Sequence, residues 1–144
     1  MLAAAVAKHL DTALTEVKFS DSGTGGNCFV GWMPDVPDLA VMVNPTGGEE
    51  QPTLDPSDTP TIQVIVRSAK GTQRVGHALA QNIYSTLQCL DRTVIDPAGV
   101  DETRVIGTTA TQSAPISLGL DPADRPEWSL DFVFQIHNPT THRP

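Results

Sequence analysis

Apolar residues recur at three- or four-residue steps at Leu2, Val6, Leu10, Leu14 and Val17, a stripe that predicts an amphipathic helix over residues 2–18. Lys8, Asp11, Thr12, Thr15 and Glu16 cover its wet side, and Ala3, Ala4, Ala5 and Ala7 give its start a low profile that another helix or subunit could approach closely. Residues 20–27 (SDSGTGGN) have turn composition. A short strand is expected at 28–33 and a second at 39–43, joined by the proline-set turn MPDVPD, and the two are expected to pair as a hairpin. Residues 61–67 (TIQVIVR) alternate as a strand, with Ile62, Val64 and Val66 on one face. Residues 72–90 carry the best helical stripe, Val75, Leu79, Ile83, Leu87 and Leu90, although Gly76 costs about 1 kcal/mol relative to alanine. Residues 103–112 are β-prone, 114–120 are irregular or briefly extended, and 121–126 (DPADRP) form a turn. The clearest alternation is the last: Trp128, Leu130, Phe132, Phe134 and Ile136 share one face of a strand whose other face is mostly polar.

Between two of these strands lies the longest polar stretch, residues 44–60 (NPTGGEEQPTLDPSDTP). It has four prolines, two glycines, four acids and a single large apolar residue, Leu54, so it reads as a long loop outside the core. Residues 137–144 read as a polar tail. The order of helices and strands gives an α+β class: a mostly antiparallel sheet of about four to six strands with two main helices packed on one face. No internal repeat is visible. At 144 residues the whole chain, 1–144, is expected to be one domain with a real core.

Charge adds a second pattern. The net charge is −8, and from Phe19 to Val66 there are seven acids and no lysine or arginine. Arg67, Lys70, Arg74 and Arg92 then gather around the central helix with only Asp91 among them. An acidic chain is a poor general nucleic-acid binder, yet an acidic surface can let a duplex slide past without sticking; the plainer reading is that acidity serves solubility. No run of about 18 apolar residues is present, so no membrane-spanning helix is expected. The leading MLAAAVAKHLDTAL is interrupted by Lys8, His9 and Asp11 and is read as helix, not as a signal peptide. Cys28 and Cys89 are too few for a disulfide framework and are expected to be small buried thiols.

Chemistry is sparse. The glycine-rich GTGG at 23–26 leads into a strand and lacks a following Lys-Ser/Thr, so it is a turn and not a phosphate cradle. His9, His77, His137 and His142 have no metal-ligand spacing, and Ser113 does not sit in GxSxG. Asp35/Asp38, Asp55/Asp58 and Asp121/Asp124 flank prolines, where aspartate commonly opens turns. No catalytic residue, cofactor or metal is expected.

Several segments in order resemble a known family. LAVMVNPTGG at 39–48, TPTIQVIVR at 59–67, VGHALAQNIYSTLQCL at 75–90 and TQSAPISLGLDPADRPEWSLDFVF at 111–134 together look like the tail terminator (tail-to-head joining) proteins of long-tailed phages, also described as minor capsid proteins. With the first helix these segments cover most of the chain. The long 44–60 stretch and the proline-ended tail depart from the pattern and bear on partner contacts. The resemblance implies a non-enzymatic virion protein at the tail–head neck, assembled in the host cytoplasm as a homo-oligomer, typically a hexameric ring. Such a ring ends tail-tube growth, docks the head connector, and lets double-stranded DNA through without specific binding; its partners are the major tail tube protein and a head-completion or connector protein. The interface or lumen candidates are Glu49, Glu50, Asp55, Asp58, Arg67 and Arg74. The alternatives are a head-completion or other minor capsid protein and, from a different class, a small binding module or a hydrolase.

Overall fold

The strand with the cleanest alternation becomes the spine of the molecule. The computed structural model describes residues 1–49, 54–88 and 90–143. In chain order the elements are α1 (Leu2–Ala13), β1 (Cys28–Val30), β2 (Ala40–Glu49), β3 (Ser57–Arg67), α2 (Gln73–Gln88), β4 (Asp91–Ile95), β5 (Thr103–Ala110), β6 (Ile116–Leu120) and β7 (Pro126–His137). The strands form one sheet in the order β1-β2-β3-β7-β5-β4, with β6 also on β7. β7 pairs antiparallel with β3 along one edge, from Ser57↔His137 to Arg67↔Glu127. Its other edge is shared end to end: β5 takes the half from Phe132 to His137 and β6 the half from Pro126 to Ser129. The class is α+β, as expected, with seven strands among the described residues where about four to six are expected from the sequence.

Both helices pack on one face of the sheet. Leu79, Ile83 and Leu87 of α2 are buried in one cluster with Ile62, Val64 and Val66 of β3 and Leu130, Phe132 and Phe134 of β7. Phe132 sits between Tyr84 and Phe134, with ring centroids 6.5 Å from each. Gly76 brings α2 unusually near: a methyl there would lie 2.6 Å from Ser68 Oγ and 3.2 Å from Trp128 Cδ1. Gly76 therefore belongs to the buried stripe, and Val75, assigned to that stripe from its spacing, is 53% exposed.

α1 touches β1 and β2 at one end of the sheet and β4 at the other, so the sheet curls around it. The curl leaves little room, which is why Ala3, Ala5 and Ala7 are fully buried inside the chain instead of facing another subunit. Lys8 pins α1 to the β4–β5 connection through Asp96 (3.0 Å) and Asp101 (2.8 Å). The helix ends at Ala13, not near 18. Leu14 is extended, and the following backbone bonds to side chains instead: Phe19 N donates to Asp11 Oδ2 (3.0 Å) and Lys18 N to Asn27 Oδ1 (2.7 Å).

Three further expectations are corrected. β1 and β2 run parallel, Cys28↔Val41 to Val30↔Val43, and form no hairpin; β1 has only three residues, so the short return through 31–39 suffices. Much of the supposed loop at 44–60 is strand: β2 and β3 stay paired from Asn44↔Gln63 out to Glu49↔Thr59. Residues 50–53 of that stretch, with Cys89 and Pro144, lie outside the described residues. The tail is tied back, with Thr140 bridging to Arg143 and Arg143 Nη2 2.6 Å from Asp58 Oδ1.

Candidate functional site

The first surface is the β2–β3 hairpin. Its outer part carries polar residues on both sides, and Thr46 and Thr61 hydrogen-bond across the pair at 2.8 Å. Glu49 is exposed at the end of β2, and Glu50 lies outside the described residues. Asp55 accepts hydrogen bonds from the backbone and hydroxyl of Ser57, which hold its carboxyl below the usual range. Asp58 is held low by the Asn138 amide (2.7 Å), helped by Arg143. Beside the hairpin lies a cleft of about 680 Å³ walled by Met1, Glu49, Asp58, Glu102 and His137. The four acids foreseen as partner-facing thus divide: Asp55 and Asp58 organise the strand's start and the tail, while Glu49 stands free of any ion pair among the described residues.

The second feature is a pair of buried arginines at the other end of the sheet. Arg67, foreseen at an interface or lumen, is only 4% exposed. Its guanidinium donates to the carbonyls of Pro34 (2.8 Å), Asp35 (3.3 Å), Pro37 (2.6 Å) and Asp38 (3.2 Å), so it shapes the β1–β2 connection from within. Burial lowers its pKa. Arg125 ties that connection to the β6–β7 turn through Asp121 (2.8 Å), Asp35 (2.8 Å) and Asp38 (3.2 Å). Burial works against its charge, but these carboxylates outweigh it and raise its pKa. Arg74 is exposed at the start of α2, beside a shallow cleft of about 220 Å³ where His77 stacks edge-on to Trp128 at 4.9 Å.

The third surface is β6, read from sequence only as an irregular or briefly extended piece. Every residue of β6 is exposed, and Ile116 (45%), Leu118 (47%) and Leu120 (58%) present large apolar side chains on a strand paired on one side only. The register slips between Ser117 and Gly119, so Leu118 is the bulged residue with no partner on β7. A sequence signal for this surface exists: from Val105 to Leu120 there is no charged residue. Unprotected sheet edges usually carry lysine or proline to discourage pairing.

Among the described residues no group of three or more histidines, cysteines, aspartates or glutamates is arranged to hold a metal. The Cys28 thiol is pushed up to about 12 by burial and stays protonated at neutral pH, and burial lowers His9 toward its neutral form. Among the described residues no helix is long and apolar enough to cross a membrane.

A curled α+β body with a polar hairpin at one end and an uncharged apolar edge at the other is built like an assembly subunit. A family model described as bacteriophage tail terminator protein matches residues 5–138. No curated protein matches the chain. The chain belongs to the bacteriophage tail terminator family, a structural component of the virion.

Proposed function

We propose that this protein, as one domain spanning residues 1–144, closes into a ring at the end of the phage tail tube, with six-fold symmetry. The ring stops tube growth, offers the head connector a docking surface, and leaves a channel through which double-stranded DNA passes without specific binding. Assembly takes place in the host cytoplasm, and the protein works as scaffold, not as catalyst. Its partners are further copies of itself, the tail tube protein below and a head-completion protein above.

The observation that carries this reading, given the family, is the β6 edge. Three exposed aliphatic side chains on a half-paired, uncharged strand are costly in water and favour a covered state. The Glu49 and Asp55 end of the hairpin supplies a surface of opposite character, as a joint between two unlike neighbours requires.

Two measurements test it. Imaging of the virion neck is expected to find this protein in a closed ring between tube and head; isolated copies without rotational symmetry would overturn the ring, and a position on the head side of the joint would transfer the protein to the head-completion class. The variant Leu118→Lys changes the bulged residue and leaves the β7 ladder intact. It is expected to melt within a few degrees of the parent, yet to yield at least tenfold fewer complete virions in complementation. Normal virion numbers would exclude β6 from the joint.

A further inference from the structure

A closed ring of identical subunits is held by a heterologous contact, so each subunit must carry two different, mutually complementary surfaces. The sheet has two open edges at one level along β7. At one side, among the described residues, β2 beyond Val43 pairs only with β3, which leaves its outer edge from Asn44 to Glu49 open. At the other side, β4 pairs only with β5.

Each edge carries charge that no ion pair takes up among the described residues, Glu49 on one and Arg92 and Arg104, beside Asp91, on the other. Of the nine basic side chains, Lys8, Lys18, Lys70, Arg125 and Arg143 are in ion pairs and Arg67 is bound to carbonyls. Arg74, Arg92 and Arg104 have no ion pair or side-chain hydrogen bond among the described residues, in a chain holding 17 acids. Two of these three lie together on the β4–β5 edge: Arg92 is in β4, and Arg104 pairs with Val94 of β4. Both are exposed, and Val94 adds an apolar group that is 40% exposed. On the hairpin side, Glu49 ends the free edge with no ion pair among the described residues, while Asp55, ahead of β3, is already bonded by Ser57. Arginine left idle on an acidic protein is suited to a bidentate carboxylate partner from outside the subunit.

We infer that the outer edge of the β2–β3 hairpin of one copy docks on the β4–β5 edge of the next, with Glu49 meeting Arg92 and Arg104. Pro45 removes one N–H from the hairpin edge and Gly47 and Gly48 bend it, so side-chain charge, and not a continuous backbone ladder, holds the contact. The inference rests on the ring reading above and supplies its subunit-to-subunit surface.

A charge-exchange experiment in complementation tests it. The variant Arg92→Glu/Arg104→Glu and, separately, Glu49→Arg are each expected to melt near the parent temperature and to lower the yield of complete virions at least tenfold. The three substitutions together, which restore attraction with the signs reversed, are expected to recover most of that yield. The neutral variant Arg92→Gln/Arg104→Gln, expected in between, guards against misfolding of the glutamate variant. Undiminished yield from the arginine reversals, or failure of the threefold exchange to rescue, would overturn the contact. Rings that persist in the neck while DNA fails to enter the tail would also overturn it and assign the arginines to the duplex. Neck images of the parent test the ring itself separately, so a missing ring and a wrong interface give different results.

Discussion

Arg67 shows how little residue type says about residue role. Read along the chain it is the first base after 48 residues without one, from Phe19 to Val66, which made it a natural candidate for a partner surface. In three dimensions it is spent on four carbonyls of a single connection. A lysine carries the charge but not the planar fork that reaches several acceptors at once. Arg67→Lys is therefore expected to destabilise the fold by about 2 kcal/mol, the scale of buried acceptors left unpaired, as read from the urea midpoint; a loss under about 0.5 kcal/mol would show the carbonyls are satisfied otherwise. Phe132, fully buried between Tyr84 and Phe134, tests packing in the same assay. Phe132→Ala is expected to cost about 3–5 kcal/mol. The titrating groups give a third expectation. Asp55, Asp58 and Asp101 are held below the usual carboxylate range by hydrogen bonds from Ser57, Asn138 and Lys8 in turn. Each contributes stability that is present above the unfolded value of about 3.9 and lost as pH falls through the folded one. Half-buried His9 has a pKa lowered by desolvation, so charging it also disfavours the fold as pH drops below about 6.5. Asp131, raised by burial, acts in the opposite sense. The melting temperature should decline gently below pH 6.5 and steeply below pH 4, and His9→Gln should remove the gentle part. A melting temperature flat down to pH 3 would contradict these assignments.

At the scale of elements, what the sequence made legible was whatever faces the core. The alternation in β7 and the 61–67 part of β3, and the helical stripe of α2, follow from one dry side and one wet side, and their periods survive in the chain. The outer half of the β2–β3 hairpin has no dry side. Its ladder is held by backbone bonds and threonine pairs, which leave no hydrophobic rhythm, so it looked like a loop. β4, DRTVI, is five residues long with one buried side chain, too little to leave a hydrophobic rhythm in the sequence. β6 is exposed throughout, so the short alternation of Ile116, Leu118 and Leu120 marks no face turned to the core. The parallel pairing of β1 and β2 was hidden because direction depends on how the chain returns, here through a connection gripped by Arg67 and Arg125. Of the candidate surface residues, Glu49 and Arg74 are exposed, whereas the work of Asp58 and Arg67 depends on Arg143 and on carbonyls far away in sequence.

Across the whole molecule, polarity is distributed by end and by edge. The β6–β7 turn end gathers the apolar strand and the Arg125 clamp, the hairpin end gathers free and capped acids, and the β4–β5 edge keeps two unspent arginines. On the proposed reading, that distribution lets one small chain meet several neighbours. It also bears on how the chain is made. β7, the strand that β3, β5 and β6 all pair with, leaves the ribosome after every one of them. Until it arrives, β3 has an open edge on one side and β5 has only β4, while Ile62, Val64 and Val66 lack the phenylalanines that cover them. At roughly 5–20 residues per second, that gap lasts several seconds on each nascent chain. During that interval the growing polypeptide is a substrate for chaperones and for sticking to its siblings on the same message. The supply of this virion part is therefore set by how safely its last strand is delivered, as well as by how often it is translated.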